Sequence, residues 1–192
     1  MSFILWVIQT GLGSRSYCYS KEIRCVMNYR IIEISSLSEN QLNEVLAQSK
    51  QEGFRFIERL INEYEAGTNR FEQIGEILLG CYDETKLVGI CGLNRQAMEG
   101  DLSIGRIRRF YVLPQYRRTG IGRLLIESLL SYAIGHFNKL VLKTDTVAAS
   151  RFYESVGFLR VNNNEEITHY IDVDKISSQE AKSATRQGDH FV

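Results

Sequence analysis

The chain has 192 residues, of which 44% are hydrophobic, and its 23 basic and 23 acidic residues leave a formal net charge of zero. This length suits one domain with a proper core, and the balanced charge excludes a general nucleic-acid binder, which would carry a basic excess. No apolar run approaches the roughly 18 residues of a membrane span, so we expect no membrane partner.

The two ends differ in pattern from the middle of the chain. Residues 1–26 have no clear period and precede Met27, so they are interpreted as an N-terminal extension that is either not native or loosely ordered. Residues 27–175 are predicted to form the domain, and residues 176–192 are polar and aperiodic, as in a disordered tail. The cysteines 18, 25, 81 and 91 form no CxxC pair, which indicates buried thiols in a reducing, cytoplasmic setting and no metal site.

The first half of the domain is predicted to contain three strands and two helices. A strand over 29–34 is followed by a helix over 39–51, for which Ser38 and Gln41 fit a capping box. A second helix covers 54–66 and stops at Gly67. Two strands, 76–82 and 86–93, are joined by a short turn and predict an antiparallel hairpin.

The second half alternates strands and helices. Strands are predicted over 103–112, 139–144, 158–162 and 166–173, a long helix over 120–137, and a short helix from about 146. The unit 103–144 should be a right-handed parallel crossover. The whole order predicts a mixed α/β fold with a mostly antiparallel sheet of six or seven strands, flanked by helices.

The run RRTGIG, residues 117–122, lies between the strand that ends near Pro114 and the amphipathic helix. The first amides of a helix have no intrahelical acceptor and carry the positive end of the helix dipole, so an anion can bind there. Glycine at 120 and 122 allows close approach and left-handed backbone angles. The run therefore predicts a cradle for a phosphorylated ligand.

A second motif, TVAASRFYESVGF, covers residues 146–158. The two motifs in this order resemble those of the GCN5-related N-acetyltransferase (GNAT) family. Arg117, Gly120 and Gly122 match the first motif, (R/Q)xxGx(G/A). The second, approximately NxxAxxxYxxxGF, is matched by Ala149, Tyr153, Gly157 and Phe158.

The resemblance implies acetyl-CoA as donor, no metal, and a primary amine as acceptor, on a small molecule or a peptide. It implies that the pantetheine arm pairs with backbone groups of Phe110, Tyr111 and Val112. The pyrophosphate would rest on the run from Arg117 through Arg118, Thr119, Gly120 and Ile121 to Gly122, with Thr146 and Ala149 also at the cofactor. Thr146 replaces the asparagine of the family motif and is interpreted as a changed cofactor contact. Tyr153 is the implied catalytic acid that protonates the departing thiolate.

One departure concerns the general base. Many family members carry a glutamate on the central strand, but the aligned position here is Arg106, and no acidic residue lies between Asp101 and Glu127. Glu76, Asp145, His169 or a water remain as candidates. An acyl-cysteine route through Cys81 or Cys91 has little support, because nothing in the sequence would lower a thiol pKa.

Two functions remain at this stage. The first is an N-acetyltransferase that transfers the acetyl group directly in a ternary complex; the second is an inactive acyl-CoA-binding sensor, suggested by the missing carboxylate. A third function, a P-loop nucleotide-binding protein, is poorly supported because no Lys-Ser/Thr follows the glycines. The two N-terminal helices and residues 69–71 should shape the acceptor side. The acceptor itself is not identified, and a homodimer is compatible with the sequence.

Overall fold

The computed structural model describes residues 22–26, 29–96, 101, 103–162 and 164–175. Residues 1–21, Met27 and the predicted tail 176–192 lie outside these ranges, so the predictions made for them stay predictions.

Eight strands and four α-helices follow one another along the described chain. The strands are β1 (Glu22–Val26), β2 (Tyr29–Glu33), β3 (Ile77–Asp83), β4 (Lys86–Arg95), β5 (Ile104–Val112), β6 (Lys139–Leu142), β7 (Leu159–Arg160) and β8 (His169–Asp172). The helices are α1 (Glu39–Gln51), α2 (Phe56–Glu65), α3 (Ile121–Ala133) and α4 (Val147–Ser155).

The strands form one sheet in the order β1-β2-β3-β4-β5-β6-β8-β7. Only the β5–β6 pair is parallel among the described strands, and every other pair is antiparallel. The predicted mixed, mostly antiparallel sheet with a parallel strand-helix-strand unit is therefore confirmed. Seven strands correspond to those predicted, and β1 falls within the residues interpreted as an extension.

Helices cover both faces of the sheet. A Cβ on Gly89 of β4 would meet Ile121 and Leu125 of α3, whereas one on Gly92, which faces the other way, would meet the Phe71 ring. Phe71 follows α2, which packs against α1. Two helical layers thus enclose a continuous apolar core, and both sides of β5 are covered by elements that could hold a ligand.

Several local predictions differ from the structure. Ser38 is the N-cap of α1, but its side chain makes no capping hydrogen bond, so the predicted capping box is wrong. Helix α3 ends at Ala133 instead of 137, because Ile134 is extended and Gly135 takes a left-handed φ of 86°. The last two strands are shorter than predicted, covering 159–160 and 169–172.

Candidate active site

The central strand β5 is interrupted by a bulge. Ile90 of β4 pairs with Tyr111 and Gly92 pairs with Arg108, so two residues of β5, Arg109 and Phe110, oppose the single residue Cys91. Arg109 adopts a left-handed φ of 56°, which is uncommon for a residue other than glycine. A bulge of this kind bends the strand and changes which side chains face each layer, and bulges often adjoin active sites.

Beyond the first three residues, β5 separates from β6. The pairs are Ile104 with Lys139, Gly105 with Leu140 and Arg106 with Val141, and within the described chain no later residue of β5 pairs with β6. The second half of β5, residues 107–112, therefore borders a gap in the sheet on its β6 side. An extended ligand can add to such an edge as an extra strand.

The chain then turns into the start of α3. A short 3₁₀ turn over Pro114–Tyr116 is closed by the Arg117 amide, which donates to the Pro114 carbonyl. Arg118 and Gly120 are both left-handed, with φ of 65° and 95°. The amides of residues 118–123 donate no hydrogen bond within the described part of the chain. These amides are therefore available to donate hydrogen bonds to an anion at the helix N-terminus.

Gly120 and Gly122 in this turn are favoured as glycine for different reasons. An added Cβ on Gly120 would meet no atom within 4 Å, so its left-handed φ is what favours glycine there. On Gly122 an added Cβ would lie 3.3 Å from ring carbons of Phe152 and 3.4 Å from Phe110. Gly122 therefore lets α3 approach an aromatic pair closely.

Arg117 is bonded within the protein. Its Nη1 and Nη2 donate to the two carboxylate oxygens of Glu52 at 2.7 and 2.6 Å, and its Nε donates to the Val112 carbonyl at 2.9 Å. The guanidinium also lies 5.3 Å from the centre of the Tyr111 ring. The hydrogen bonds from Arg117 are the main cause that lowers the pKa of Glu52. The phosphate contact predicted for Arg117 thus competes with a bidentate ion pair that ties the end of α1 to the cradle.

The neighbouring residues are less constrained. Arg118 is exposed, and the Thr119 hydroxyl donates to the Tyr116 carbonyl at 2.7 Å, which closes the turn. Ile121 is buried in the core and presents only its backbone to the cradle.

Tyr153, on α4, lies in an aromatic cluster beside the bulge. Phe110 and Phe152 stack with centroids 5.4 Å apart, and Tyr153 contacts Phe110 and Phe158 at 5.8 and 5.6 Å. Its side chain is buried, and its hydroxyl makes no hydrogen bond within the described residues. Burial raises its pKa, so the phenol holds its proton at neutral pH. A buried phenol without a partner has a donor available for a ligand.

Thr146 is the N-cap of the helix that carries Tyr153. Its side-chain oxygen accepts a hydrogen bond from the Ala149 amide at 3.2 Å, which stabilises the start of α4. The hydroxyl proton is left to donate elsewhere, so capping is compatible with the predicted cofactor contact. Ala149 itself is partly buried against the core.

The three candidate bases lie in different surroundings. Glu76 accepts a hydrogen bond from the Arg95 amide at 2.9 Å, and Asp145 is exposed in the segment between β6 and α4. His169 is buried; its Nε2 lies 2.9 Å from the Ser150 hydroxyl and its Nδ1 2.9 Å from Thr168 Oγ1. Its ring centre is 6.1 Å from that of Tyr153. Both of its nitrogens are engaged, and a base among these three stays a prediction.

Sequence reasoning missed the roles of three residues near the site, which are Arg109, its partner Glu63, and Glu52. Arg109, at the bulge, is buried and donates to Glu63 of α2 over 2.5 Å, while its Nε has no partner. Glu52, at the end of α1, joins Arg117 and Tyr111. These contacts join residues that are 46 to 65 positions apart in the sequence. Local sequence patterns do not predict contacts over such distances.

Cys81 and Cys91 are both buried, as predicted. Burial raises the pKa of Cys81 to about 12 and also raises that of Cys91, which opposes thiolate formation at either. Among the described residues, no group of three or more His, Cys, Asp or Glu could hold a metal ion. No helix in those ranges is long and apolar enough to cross a membrane.

An open edge on a bulged strand leads into a turn with free amides, and Tyr153 lies beside the bulge. Together they define a site for an extended ligand whose arm is joined to a pyrophosphate. Acetyl-CoA has this form, with a pantetheine arm that can pair with a strand and a pyrophosphate that can accept from amides. The residues present therefore fit this donor.

Comparison with known proteins gives the family. The model of an acetyltransferase (GNAT) domain matches residues 45–174. A crystal structure from Exiguobacterium sp. 255-15, described only as a candidate acetyltransferase, is 30% identical, covers 80% of this chain and 99% of its own, and has a TM-score of 0.71. The chain belongs to the GNAT acetyltransferases, acyltransferases that use acetyl-CoA.

Two further proteins are similar. N-alpha-acetyltransferase RimI of Mycobacterium tuberculosis (strain ATCC 25618 / H37Rv) is 39% identical over 75 residues, which is 39% of this chain and 47% of RimI, so the match spans about half of that relative. The candidate acetyltransferase yncA of Salmonella typhimurium, crystallised with acetyl-CoA, has a TM-score of 0.56 at 15% identity over 77% of this chain and 95% of its own. At that identity the likeness shows the fold alone.

Proposed function

We propose that this protein transfers the acetyl group of acetyl-CoA to a primary amine by direct attack in a ternary complex. The observation that carries the proposal is the continuity of the open second half of β5 with the free amides of the following turn. One piece of chain can thus bind both the pantetheine arm and the pyrophosphate. Binding both substrates in a reactive geometry lowers the barrier by up to about 7 to 11 kcal/mol in favourable intramolecular models.

In this proposal the backbone of Phe110, Tyr111 and Val112 binds the arm. The amides from Arg118 to Gly122 bind the pyrophosphate, and the exposed Arg118 side chain adds charge. Arg117 acts mainly by fixing the turn through Glu52. The Thr146 hydroxyl and the Ala149 segment of α4 border the same gap.

Tyr153 is proposed to donate its proton to the departing sulfur. A free phenol has a pKa near 10 and a free thiol one near 8.5. Burial raises the pKa of Tyr153, and the same dry surroundings raise that of the thiolate. A thiolate that leaves into these surroundings is therefore also a stronger base, which favours transfer of the proton from the phenol.

The acceptor amine must be neutral to attack. An amine of pKa near 10.4 loses its proton at pH 7 at a cost of about 4 to 5 kcal/mol, whereas an α-amine of pKa 7.7 to 8.0 needs about 1 kcal/mol. Arg106 occupies the position where many family members have a glutamate. We therefore place α-amines first among acceptors, and the similarity to an N-alpha-acetyltransferase supports this order. A cytoplasmic location is part of the same proposal.

The test is a thiol-release assay with acetyl-CoA across amino acids, peptides, polyamines, aminoglycosides and simple amines, beside calorimetry with CoA. Turnover of an amine supports the enzyme. CoA binding without turnover of any amine contradicts transfer and favours the sensor, which the missing carboxylate at Arg106 would explain.

The role of Tyr153 is tested by Tyr153→Phe. We expect kcat to fall by about a hundredfold or more, with little change in the dissociation constant of CoA. Tyr170→Phe, on β8 with its ring near Lys139, is the matched control and should retain kcat. An unchanged kcat in Tyr153→Phe would exclude the acid role.

A further inference from the structure

Four arginines gather on and beside β5 where it leaves β6. This arginine cluster consists of Arg59 of α2 and Arg106, Arg108 and Arg109 of β5. Arg106 Nη1 and Arg108 Nη2 each lie 3.3 Å from Gln96 Oε1, so two guanidinium groups share one neutral acceptor. Arg109 pairs with Glu63.

Among the residues that the structure describes, the arginine cluster contains more positive than negative charge. The charged groups there that act on Arg108 are three arginines and the carboxylate of Glu63. Partial loss of solvent, then the charges of Arg106 and Arg109, lower the pKa of Arg108, yet a guanidinium stays charged in proteins. The Nε of Arg109 is buried without an acceptor. Buried donors are normally paired, and within the described residues this one is not.

The cluster also adjoins the reaction site. Arg106 is the last residue of β5 that pairs with β6, so it marks the point where the gap opens. Its Nη2 donates to the Glu166 carbonyl, in the segment between β7 and β8. On the neighbouring strand β4, Gly92 pairs with Arg108 and lies under the ring of Phe71. The side chains of Asn69 and Asn94 exchange two hydrogen bonds. Asn69 and Phe71 belong to residues 69–71, which were expected to shape the acceptor side.

Arg108 has the geometry of a recognition residue. It is exposed, and within the described chain one of its five N–H groups is bonded, to Gln96. A planar guanidinium matches the two oxygens of a carboxylate or phosphate. The same positive charge disfavours the protonated form of an amine held close by, because like charges lower the pKa of an ammonium group. One cluster can therefore bind an anion and favour the neutral, attacking amine.

We infer that the acceptor is an amine that also carries an anionic group, a carboxylate or a phosphate, and that the arginine cluster binds this group through Arg108. The inference rests on the proposed function and narrows its substrate class. It also accounts for an arginine at position 106, since a positive field takes over part of the task of a base.

The experiment compares acceptors in pairs of which one member carries the anion, and kcat/KM is expressed per neutral amine because a nearby anion raises the amine pKa. The pairs are β-alanine with β-alaninamide, phosphoethanolamine with ethanolamine, and peptides beginning Ala-Asp with peptides beginning Ala-Asn. We expect kcat/KM to be at least about tenfold higher for the anionic member of one or more pairs, which corresponds to about 1.4 kcal/mol. The pair with the largest ratio identifies the anion and distinguishes small acceptors from peptides.

Arg108→Gln should lower kcat/KM of the anionic acceptor about tenfold more than that of its neutral partner, mostly through KM, because the neutral partner loses only the effect of the Arg108 charge on its amine. Arg160→Gln, an exposed arginine on β7, is the charge-matched control and should change neither. Equal rates within every pair, or an equal loss for both members in Arg108→Gln, would overturn the inference while leaving acetyl transfer intact.

A second measurement does not depend on turnover. Calorimetric titration of the CoA-loaded protein with phosphoethanolamine, β-alanine and the Ala-Asp peptide should show, for at least one of them, binding that weakens about tenfold in Arg108→Gln. If none of the three binds the wild-type protein, the inference is wrong even where neutral amines are acetylated. If one of them binds in this way while no amine is acetylated, anion recognition stands and the proposed transfer fails.

Discussion

The ion pair between Glu52 and Arg117 gives a direct test of how the cradle is held. Glu52→Gln keeps the shape of the side chain and removes its charge, so it weakens two hydrogen bonds of 2.7 and 2.6 Å. Hydrogen bonds to charged groups contribute about 1.5 to 3 kcal/mol, and exposed ion pairs about 0.2 to 1 kcal/mol. The side chains are 29% and 41% exposed. Discounting for solvent, we expect a loss of about 1 kcal/mol in the free energy of unfolding.

A loss of this size should lower Tm by about 2 to 4 °C in a chain of this length. The pKa of Glu52 is lowered in the folded protein, so its contribution is present above the unfolded pKa, near 4.3, and is lost as pH falls through the folded value. Melting curves of wild type and Glu52→Gln should therefore differ at pH 7 and converge in acid. An equal difference at pH 3 would refute the electrostatic reasoning.

A double-mutant cycle of Glu52→Gln and Arg117→Gln distinguishes the two possible roles of Arg117, which are the ion pair with Glu52 and a contact with the phosphate of the ligand. If Arg117 serves the ion pair, both single variants and the double variant should lose similar stability and weaken CoA binding by a similar factor in calorimetry. Glu58→Gln removes a more exposed pair with Lys50 and should cost less stability, without an effect on CoA. Should Arg117→Gln weaken CoA binding tenfold more than Glu52→Gln, Arg117 contacts the phosphate as the sequence predicted.

Three other predictions concern the same region. Gly120→Ala and Gly135→Ala both place Cβ at a left-handed φ in open space, so each should lose about 1 kcal/mol of stability; only the change at 120 should weaken CoA binding, and equal binding by both variants would argue against the cradle. Thr146→Ala should lose about 1 kcal/mol through its cap on α4, and Thr146→Ser should recover it in thermal melts. Cys91 should react with a thiol reagent only on unfolding, because burial raises its pKa; rapid labelling of the native protein would contradict this.

Much of the fold could be predicted because its signals are local. Ser38 and Gln41 indicated a helix over residues 39–51, and α1 covers these residues although the capping hydrogen bond is not formed. The hairpin of β3 and β4 followed from two strand patterns joined by the turn from Asp83 to Lys86. The parallel pairing of β5 with β6 followed from the helix between them. Each of these signals lies within about forty residues of chain.

The features that build the site were less accessible. Arg109 has the left-handed backbone of a bulge although it is not a glycine. The sequence of residues 106–112, RIRRFYV, therefore predicts a regular strand without a bulge. The shift in side-chain direction that follows brings Arg109 to Glu63 and Tyr111 to Glu52. These partners were invisible to sequence spacing. Phe110, Tyr153, Thr146 and the glycines were named from motifs, and their direct contact with acetyl-CoA stays a prediction.

The open edge of β5 leaves a gap in the sheet that a bound acyl donor can fill as an additional strand. A donor that fills it would bind the folded chain and not the unfolded one, and would raise stability by about 2.7 kcal/mol at a hundred times its dissociation constant. Thermal stability would then follow the supply of acyl donor. Because the cofactor binds in the gap beside β5, the time for which this enzyme stays folded would depend on the fraction of molecules that have acyl donor bound.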